Sequence, residues 1–432
     1  MEDDALWRRE ALKRIERHRK NDVIIRVKDS NGNPINNAGI SINMTRNEFM
    51  FGTAVRSTIF NADKPQYAET VLRDFNTIVA ESAAKWPQIE KDGGAESIRL
   101  ANWAYENNLY YRGHCLIWDA RNAMQLSSLP VVLHDYQNKT EEEVWSIIEE
   151  HVRNTVLPYK GKISQWDVVN EPYSRHVLTD MFGVDLFARA FNLAKALDPN
   201  VKTYINECRI DGNLDILKRG GIQRILDEYL AENAQIDGLG SETHFIKTCY
   251  PQHYYMVLDE LSQYVNEISI TEYDLDITDD EVAGKFLRDM LIMIYSHPKA
   301  TAFLMWGFND SHHWRNNAPL YYADYTPKPA YNYWSQYVLG EWMSREEGIT
   351  DNNGELMLRG HRGDYEITVN IGDRSATGTF KLIKNSDDSV CENIIDVIVG
   401  DNIIITPSNP ASEPIERLNG RTHDEVLNNM QQ

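Results

Sequence analysis

From about residue 49 to residue 343 the chain repeats one pattern: a short apolar run, then a longer stretch whose apolar positions recur every three or four residues. The runs are FMFGTAV, FNTIVAE, YYRGHCLIW, SQWDVVNE, VKTYINE, IDGLGSETHF, EISITEYD and TAFLMWGF. They are short, rich in β-branched and aromatic residues, and read as strands. Between them lie amphipathic segments such as residues 141–157 (EEEVWSIIEEHVRNTVL) and 184–197 (VDLFARAFNLAKAL). Eight strand–helix units in succession predict an α/β fold of the (β/α)8 TIM-barrel type rather than an open doubly wound sheet. No G-x-G-x-x-G or G-x-x-x-x-G-K-[ST] loop follows any of these runs, so dinucleotide and P-loop chemistry find no support.

The two ends of the chain have a different texture. VIIRV (23–27) and ISINM (40–44) flank the turn-rich DSNGNPINNAG, and similar runs return in DNNGELML, DYEITVNIG and IIDVIVGDNIII. The D-x-N-G fragment lacks the length and the terminal Glu of a calcium loop and reads as a turn. Two or three strands cannot bury a core alone. Residues 21–48 and 344–410 are therefore expected to pair into one accessory β-sandwich-like domain beside a 49–343 barrel. Residues 1–20 predict a charged helix with Leu6, Leu12 and Ile15 along one side and a solvated face elsewhere. Residues 411–432 read as a polar, mobile tail.

Composition narrows the function. The 432 residues carry 44 Lys+Arg against 65 Asp+Glu, a formal charge of −21, which repels polyanions and argues against nucleic acid as partner. No apolar run approaches the ~18 residues a membrane span needs, so no membrane partner is expected. The opening MEDDALWRREALKRIERHRK lacks a signal-peptide core, leaving open a cytoplasmic protein or a secreted one whose signal has been removed. Cys115, Cys208, Cys249 and Cys391 show no metal or disulfide spacing; three sit at the ends of apolar runs and read as buried free thiols.

In a barrel of this kind chemistry gathers where the strands end. Those ends carry Glu81 and Lys85, His114 and Trp118, Asn170 and Glu171, Asn206 and Glu207, Glu242 and His244, Glu272 and Asp274, then Trp306 and Asp310. None has the H-E-x-x-H spacing of a metal helix, and no metal or organic cofactor is expected. Glu171 and Glu272 each close a strongly apolar run, where an unpaired charge is costly unless it serves a site. A pair of carboxyls is what glycoside hydrolysis uses, one protonating the leaving oxygen and one attacking carbon or activating water. The same acids could instead pair with Lys or Arg at the rim.

At this point the sequence resembles the glycoside hydrolase family 10 xylanases. The resemblance rests on FGTAV, E-x-x-x-K-W (Glu81–Trp86), RGHCLIW (Arg112–Trp118), WDVVNEP (Trp166–Pro172), GLGSETH (Gly238–His244), ITEYD (Ile270–Asp274), WGFNDSHHW (Trp306–Trp314) and PKPAY (Pro327–Tyr331), in that order. It implies a retaining β-1,4-xylanase acting inside xylan chains, with Glu171 as acid/base and Glu272 as nucleophile. It further implies that His244 and Asp274 support the nucleophile. Asn170 meets a sugar hydroxyl, and Glu81, Lys85, His114 and Trp118 line the glycone side. Trp306 and Trp314 wall the cleft. A polysaccharide substrate implies an extracellular or cell-envelope site.

Three positions depart from the family pattern: Ser82 stands where it has Asn, Asp119 where it has His, and Glu242 where it has Gln. Ser82 removes a glycone-side amide, and Glu242 adds a substrate-facing carboxylate expected to push the acid's pKa upward. These departures suggest a decorated xylan, arabino- or glucuronoxylan, in place of the plain chain. Other readings remain: an exo-acting relative or one for another β-1,4-glycan, a carbohydrate-binding protein without turnover, or a scaffold whose β domain does the binding.

Overall fold

The computed structural model of the chain describes residues 5–208, 210, 216–387 and 390–411. The expected polar tail lies outside these residues apart from Ala411. In chain order the strands are β1 (Lys20–Asp29), β2 (Gly39–Asn47), β3 (Met50–Val55), β4 (Thr77–Ala80), β5 (Tyr110–Trp118), β6 (Gln165–Asn170), β7 (Lys202–Glu207), β8 (Gly238–Ser241) and β9 (His244–Phe245). They continue with β10 (Glu267–Leu275), β11 (Ala300–Met305), β12 (Arg345–Ile349), β13 (Glu355–His361), β14 (Gly363–Ile371), β15 (Arg374–Leu382), β16 (Ile394–Val399) and β17 (Ile403–Pro407). Cα packing separates the described residues into two units, Met50–Tyr331 and the pair of segments 5–49 and 332–411.

The first unit is a closed parallel barrel. Its strands run β3, β4, β5, β6, β7, β8, β10, β11, and β11 returns to β3 with Phe303 opposite Phe51. The predicted apolar runs are these strands, buried on both faces as barrel strands must be. The short β9 pairs with the far end of β10, setting His244 opposite Asp274. The helices form where the sequence signals them. Thr140 caps Glu141–Val156 in a reciprocal box with Glu143, three acids fill the first turn, and Val144, Ile148, Val152 and Val156 face inward. Two glycines make room for side chains of the neighbouring strands. A Cβ on Gly113 would lie 2.2 Å from the Trp166 ring, and one on Gly240 2.3 Å from Asn206 Oδ1.

The second unit is a sandwich of two four-stranded sheets, β13-β1-β16-β17 and β12-β2-β14-β15. Alternate residues of each central strand meet between them: Val23, Ile25 and Val27 from β1, Ile40 and Ile42 from β2, Ile367 and Val369 from β14, Ile395 and Val397 from β16. The period of two visible in the sequence is therefore the inside–outside alternation of one core.

The N-terminal helix, Leu6–Arg19, forms but buries a different stripe from the expected one. Leu6 and Leu12 are exposed, whereas Arg8, Ala11, Ile15 and Arg19 are buried. The stripe at i, i+3, i+7 and i+11 includes two arginines whose long stems cover apolar surface, Arg19 lying 4.8 Å from the Phe49 ring centre. All four cysteines are free thiols, but only Cys115 is buried; Cys208, Cys249 and Cys391 are partly exposed. No helix among the described residues is long and apolar enough to cross a membrane.

Candidate active site

The polar residues at the barrel's strand ends converge around two carboxyl groups. Glu272, on β10 and 5% exposed, accepts a hydrogen bond from Asn206 Nδ2 (2.9 Å) and shares one with His244 Nε2 (3.1 Å). The other His244 nitrogen meets Asp274 Oδ2 at 2.8 Å. Asp274 also accepts from Trp314 Nε1 (2.7 Å) and Arg315 Nη1 (2.9 Å). Burial alone would favour a neutral Asp274, but the hydrogen bond from His244, the His313 ring nitrogen 3.5 Å away and the charges of His244 and Arg315 hold it well below the usual carboxylate range. Burial likewise opposes charge on His244. The hydrogen bonds to Asp274 and Glu272, together with their negative charges, outweigh it and raise the imidazole to about 9. At neutral pH His244 is an imidazolium that donates to both carboxyl groups and so orients Glu272.

This pairing has a consequence for stability. A histidine raised in the folded state contributes fully below its unfolded value of 6.5 and loses that contribution as pH rises through about 9. The thermal midpoint of the wild type should therefore fall more steeply across that interval than that of a His244→Ala variant. Parallel profiles would refute the ion-pair account.

Glu171 ends β6 on the opposite strand wall, with its backbone in the left-handed region at φ 52°. Such a conformation in a non-glycine residue costs about 1–3 kcal/mol and is concentrated at functional sites. Its N–H is held by the Asn206 carbonyl (2.8 Å). One carboxyl oxygen, Oε2, accepts from Trp118 Nε1 (2.9 Å) and from Arg175 Nε (2.6 Å). The sequence reading expected Glu242 to push this carboxyl upward. Burial does push it up, but the hydrogen bonds from Arg175 and Trp118 and the guanidinium charge dominate, and the net shift is downward.

Glu242 lies between the two. One of its oxygens comes within 4.8 Å of a Glu171 oxygen and the Cys208 sulfur, and one within 4.8 Å of a Glu272 oxygen and a His244 nitrogen. Either trio has the donor types of a metal site. In both, however, the donors are already committed: His244 donates through both nitrogens, and Glu171 is held by Arg175 and Trp118. Asn206 ties the centre together, its Nδ2 reaching Asn170 Oδ1 (2.9 Å), Glu272 and, at 3.3 Å, Glu242. Asn170 keeps its own amide NH2 without a partner among the described residues.

The remaining predicted residues surround this centre. His114 hydrogen-bonds Asp167 (2.9 Å) through Nδ1, which lies 3.9 Å from Glu272. The Lys85 ammonium sits 4.9 Å from the Trp118 ring centre and 5.7 Å from that of Trp306, with no carboxylate partner among the described residues. Trp306 is buried and packs edge-on to His114, while Trp314 is half exposed. Glu81 is held by a two-point ion pair with Arg56.

Several strand-end polar residues do other work. Asp119 is fully buried and accepts from the N–H groups of Ala120 (2.6 Å) and Leu178 (2.9 Å); burial pushes its carboxyl up to about 6. This departure from the family pattern is thus a loop anchor rather than a sugar contact. Glu207 accepts from the N–H groups of Tyr173 and Cys208, and Asp310 from Ala318 N–H and the Lys328 ammonium. Ser82 is exposed.

Sequence reasoning passed over Arg175, Asp167, Arg315 and the central role of Asn206. Two of these carried a signal. The fourth and fifth barrel strands both end in Asn-Glu, and the asparagines are register partners, as are His114 and Asp167. Arg175, four residues beyond Glu171 in a loop, carried none.

Over 375 residues the chain is 30% identical to "Anti-sigma-I factor RsgI6" of Acetivibrio thermocellus, spanning 84% of this chain and 47% of that protein. Over 373 residues it is 26% identical to "Endo-1,4-beta-xylanase 1" of Arabidopsis thaliana, spanning 85% of this chain and 38% of the relative. The chain thus spans less than half the length of these curated relatives. The crystal structure of xylanase 10B from Thermotoga petrophila RKU-1 in complex with xylobiose superimposes with a TM-score of 0.59 at 23% identity, covering 66% of this chain and 92% of that one, and shares the fold. The model of glycosyl hydrolase family 10 matches residues 41–337, well over half of the sequence, and the chain belongs to that family.

Proposed function

We propose that the protein is a retaining endo-acting glycoside hydrolase that cleaves β-1,4-xylosidic bonds. The observation that carries this reading is the Asp274–His244–Glu272 relay facing Glu171 across Glu242. It supplies one carboxyl oriented by an imidazolium and a second carboxyl on the opposite strand wall. In the first displacement Glu272 bonds to the anomeric carbon while the bond to the leaving oxygen breaks and that oxygen takes the proton from Glu171. In the second, Glu171 takes a proton from water as the water oxygen bonds to the same carbon and Glu272 departs. A retaining course needs carboxyls about 5–5.5 Å apart. The unpartnered amide NH2 of Asn170 suits a sugar hydroxyl, and the half-exposed Trp314 suits the C–H face of a sugar ring. Xylan lies outside the cytoplasm, which assigns the work to the exterior or the cell envelope.

The finer reading is a preference for decorated chains. It is supported at the glycone edge, where Ser82 is exposed and small and Glu81 is already engaged by Arg56, loosening the grip on a bare sugar. Product analysis on linear xylohexaose and on arabino- and glucuronoxylo-oligosaccharides tests both levels. Cleavage with retained anomeric configuration, faster on a branched oligomer, is the expected result. Faster cleavage of xylohexaose than of every branched oligomer would sink the preference. Binding of all oligomers without turnover would move the protein to the non-catalytic carbohydrate-binding class.

A further inference from the structure

We propose that Arg175 is a positioning residue for the acid/base: with Trp118 it pins Glu171 Oε2, leaving Oε1 as the atom that gives the proton to the glycosidic oxygen and takes it back from water. This rests on the hydrolase reading above. A carboxyl carried on two methylenes swings freely unless one oxygen is anchored. Here two N–H groups from different elements converge on the same oxygen, at 2.9 Å from β5 and 2.6 Å from the loop after β6. The two donors also brace each other, since the Arg175 guanidinium lies 4.3 Å from the centre of the Trp118 ring. Stacking on the indole holds the flat fork in register with the carboxylate, which a lysine could not do. The arginine side chain is 19% exposed and that of Glu171 15%, so the pair is shielded from water yet open to a ligand.

The anchor also sets when the proton is present. The other groups facing Glu171 come from three elements. The Lys85 ammonium lies beyond the Trp118 ring, and the Cys208 thiol hydrogen-bonds the carboxyl. The Glu242 carboxylate is within 4.8 Å, with Glu272 and His244 behind it. Arg175 is the cation in direct contact; its hydrogen bond and charge, together with the hydrogen bonds from Trp118 and Cys208, outweigh burial and hold Glu171 below the ordinary glutamate value. The cost is an acid that releases its proton early as pH rises. The gain is a base that stays available in mildly acidic conditions for the second displacement.

The test measures kcat and kcat/KM against pH for the wild type, Arg175→Ala and Arg175→Lys. One substrate is xylohexaose, whose leaving sugar needs a proton; the other is a dinitrophenyl β-xylobioside, whose leaving group needs none. Arg175→Ala should move the alkaline limb on xylohexaose upward by about one pH unit and lower its kcat/KM roughly tenfold, while kcat/KM of the activated glycoside, which reports the first displacement alone, is unaffected. Arg175→Lys should return the limb toward its wild-type position while kcat/KM stays low, because the charge survives and the stacked fork does not. An unmoved limb, or equal losses of kcat/KM on both substrates, would overturn the proposal while leaving the hydrolase reading intact. A wild type that turns over neither substrate would overturn both.

Discussion

Glu272→Ala should lose hydrolysis of xylo-oligosaccharides by on the order of 10⁴-fold or more, because no covalent intermediate can then form. The barrel should remain folded, since alanine relieves a buried carboxylate rather than opening the apolar core. His244 would lose one of its two carboxylate partners and keep Asp274 at 2.8 Å. Azide, small enough for the vacated space, should restore turnover of an activated aryl xyloside and give the glycosyl azide of inverted configuration. The measurement is product configuration by proton NMR. Hydrolysis surviving in the variant with unchanged products would reassign the attack to Glu242, which stands within 4.8 Å of Glu272.

Glu171→Ala should separate the two displacements. On xylo-oligosaccharides the loss should be about 10²–10⁴-fold, the usual contribution of a positioned acid. On a dinitrophenyl xyloside the first displacement should survive and the second stall, giving a burst of phenolate equal to the enzyme present. Azide should then attack the accumulated intermediate and give the glycosyl azide of retained configuration. Equal losses on both substrates, with no burst, would show that Glu171 is not the proton donor. The Trp118 and Arg175 donors that converge on Glu171 Oε2 lie 2.9 and 2.6 Å from it, so its removal strands a buried guanidinium edge. A modest loss of stability should accompany the kinetic effect.

Two protonation states follow from the same geometry. His244 is charged at neutral pH because two carboxylates face it, and Glu171 is depressed because Arg175 does. The site thus separates its two carboxyl groups by the cations assigned to them, although both sit at the ends of similar apolar strands.

The barrel was legible because its strands are buried on both faces and so read as continuous apolar runs, punctuated at regular intervals by amphipathic helices. The sandwich was legible for a related reason: its strands face a core on one side only and alternate. The N-terminal helix shows the limit of such patterning. Its apolar letters suggested Leu6, Leu12 and Ile15, but the stripe that became buried runs through Arg8, Ala11, Ile15 and Arg19. Hydrophobicity alone does not count the methylene stems of arginine.

At the site, the sequence by itself determined which residue types stand at each strand end, because alternation along a strand and the strand's length decide which side chains reach the barrel mouth. That is how Glu171 and Glu272 could be singled out before any coordinates, while the roles of His244 and Asp274 came from the family resemblance. Partnership was decided only by the tertiary structure. Asp119 and Glu207 look as available in the sequence as Glu242, yet backbone N–H groups consume them, and Glu242 alone of the three stands between Glu171 and Glu272. Arg175 looks like a loop residue until the chain turns at Glu171 and brings it onto the acid and the Trp118 ring. Hydrogen bonds and ion pairs act over about 3 Å, and in a closed barrel that distance joins strands a hundred residues apart. The identity of a carboxylate is local; its charge state is set by whichever neighbours the fold delivers.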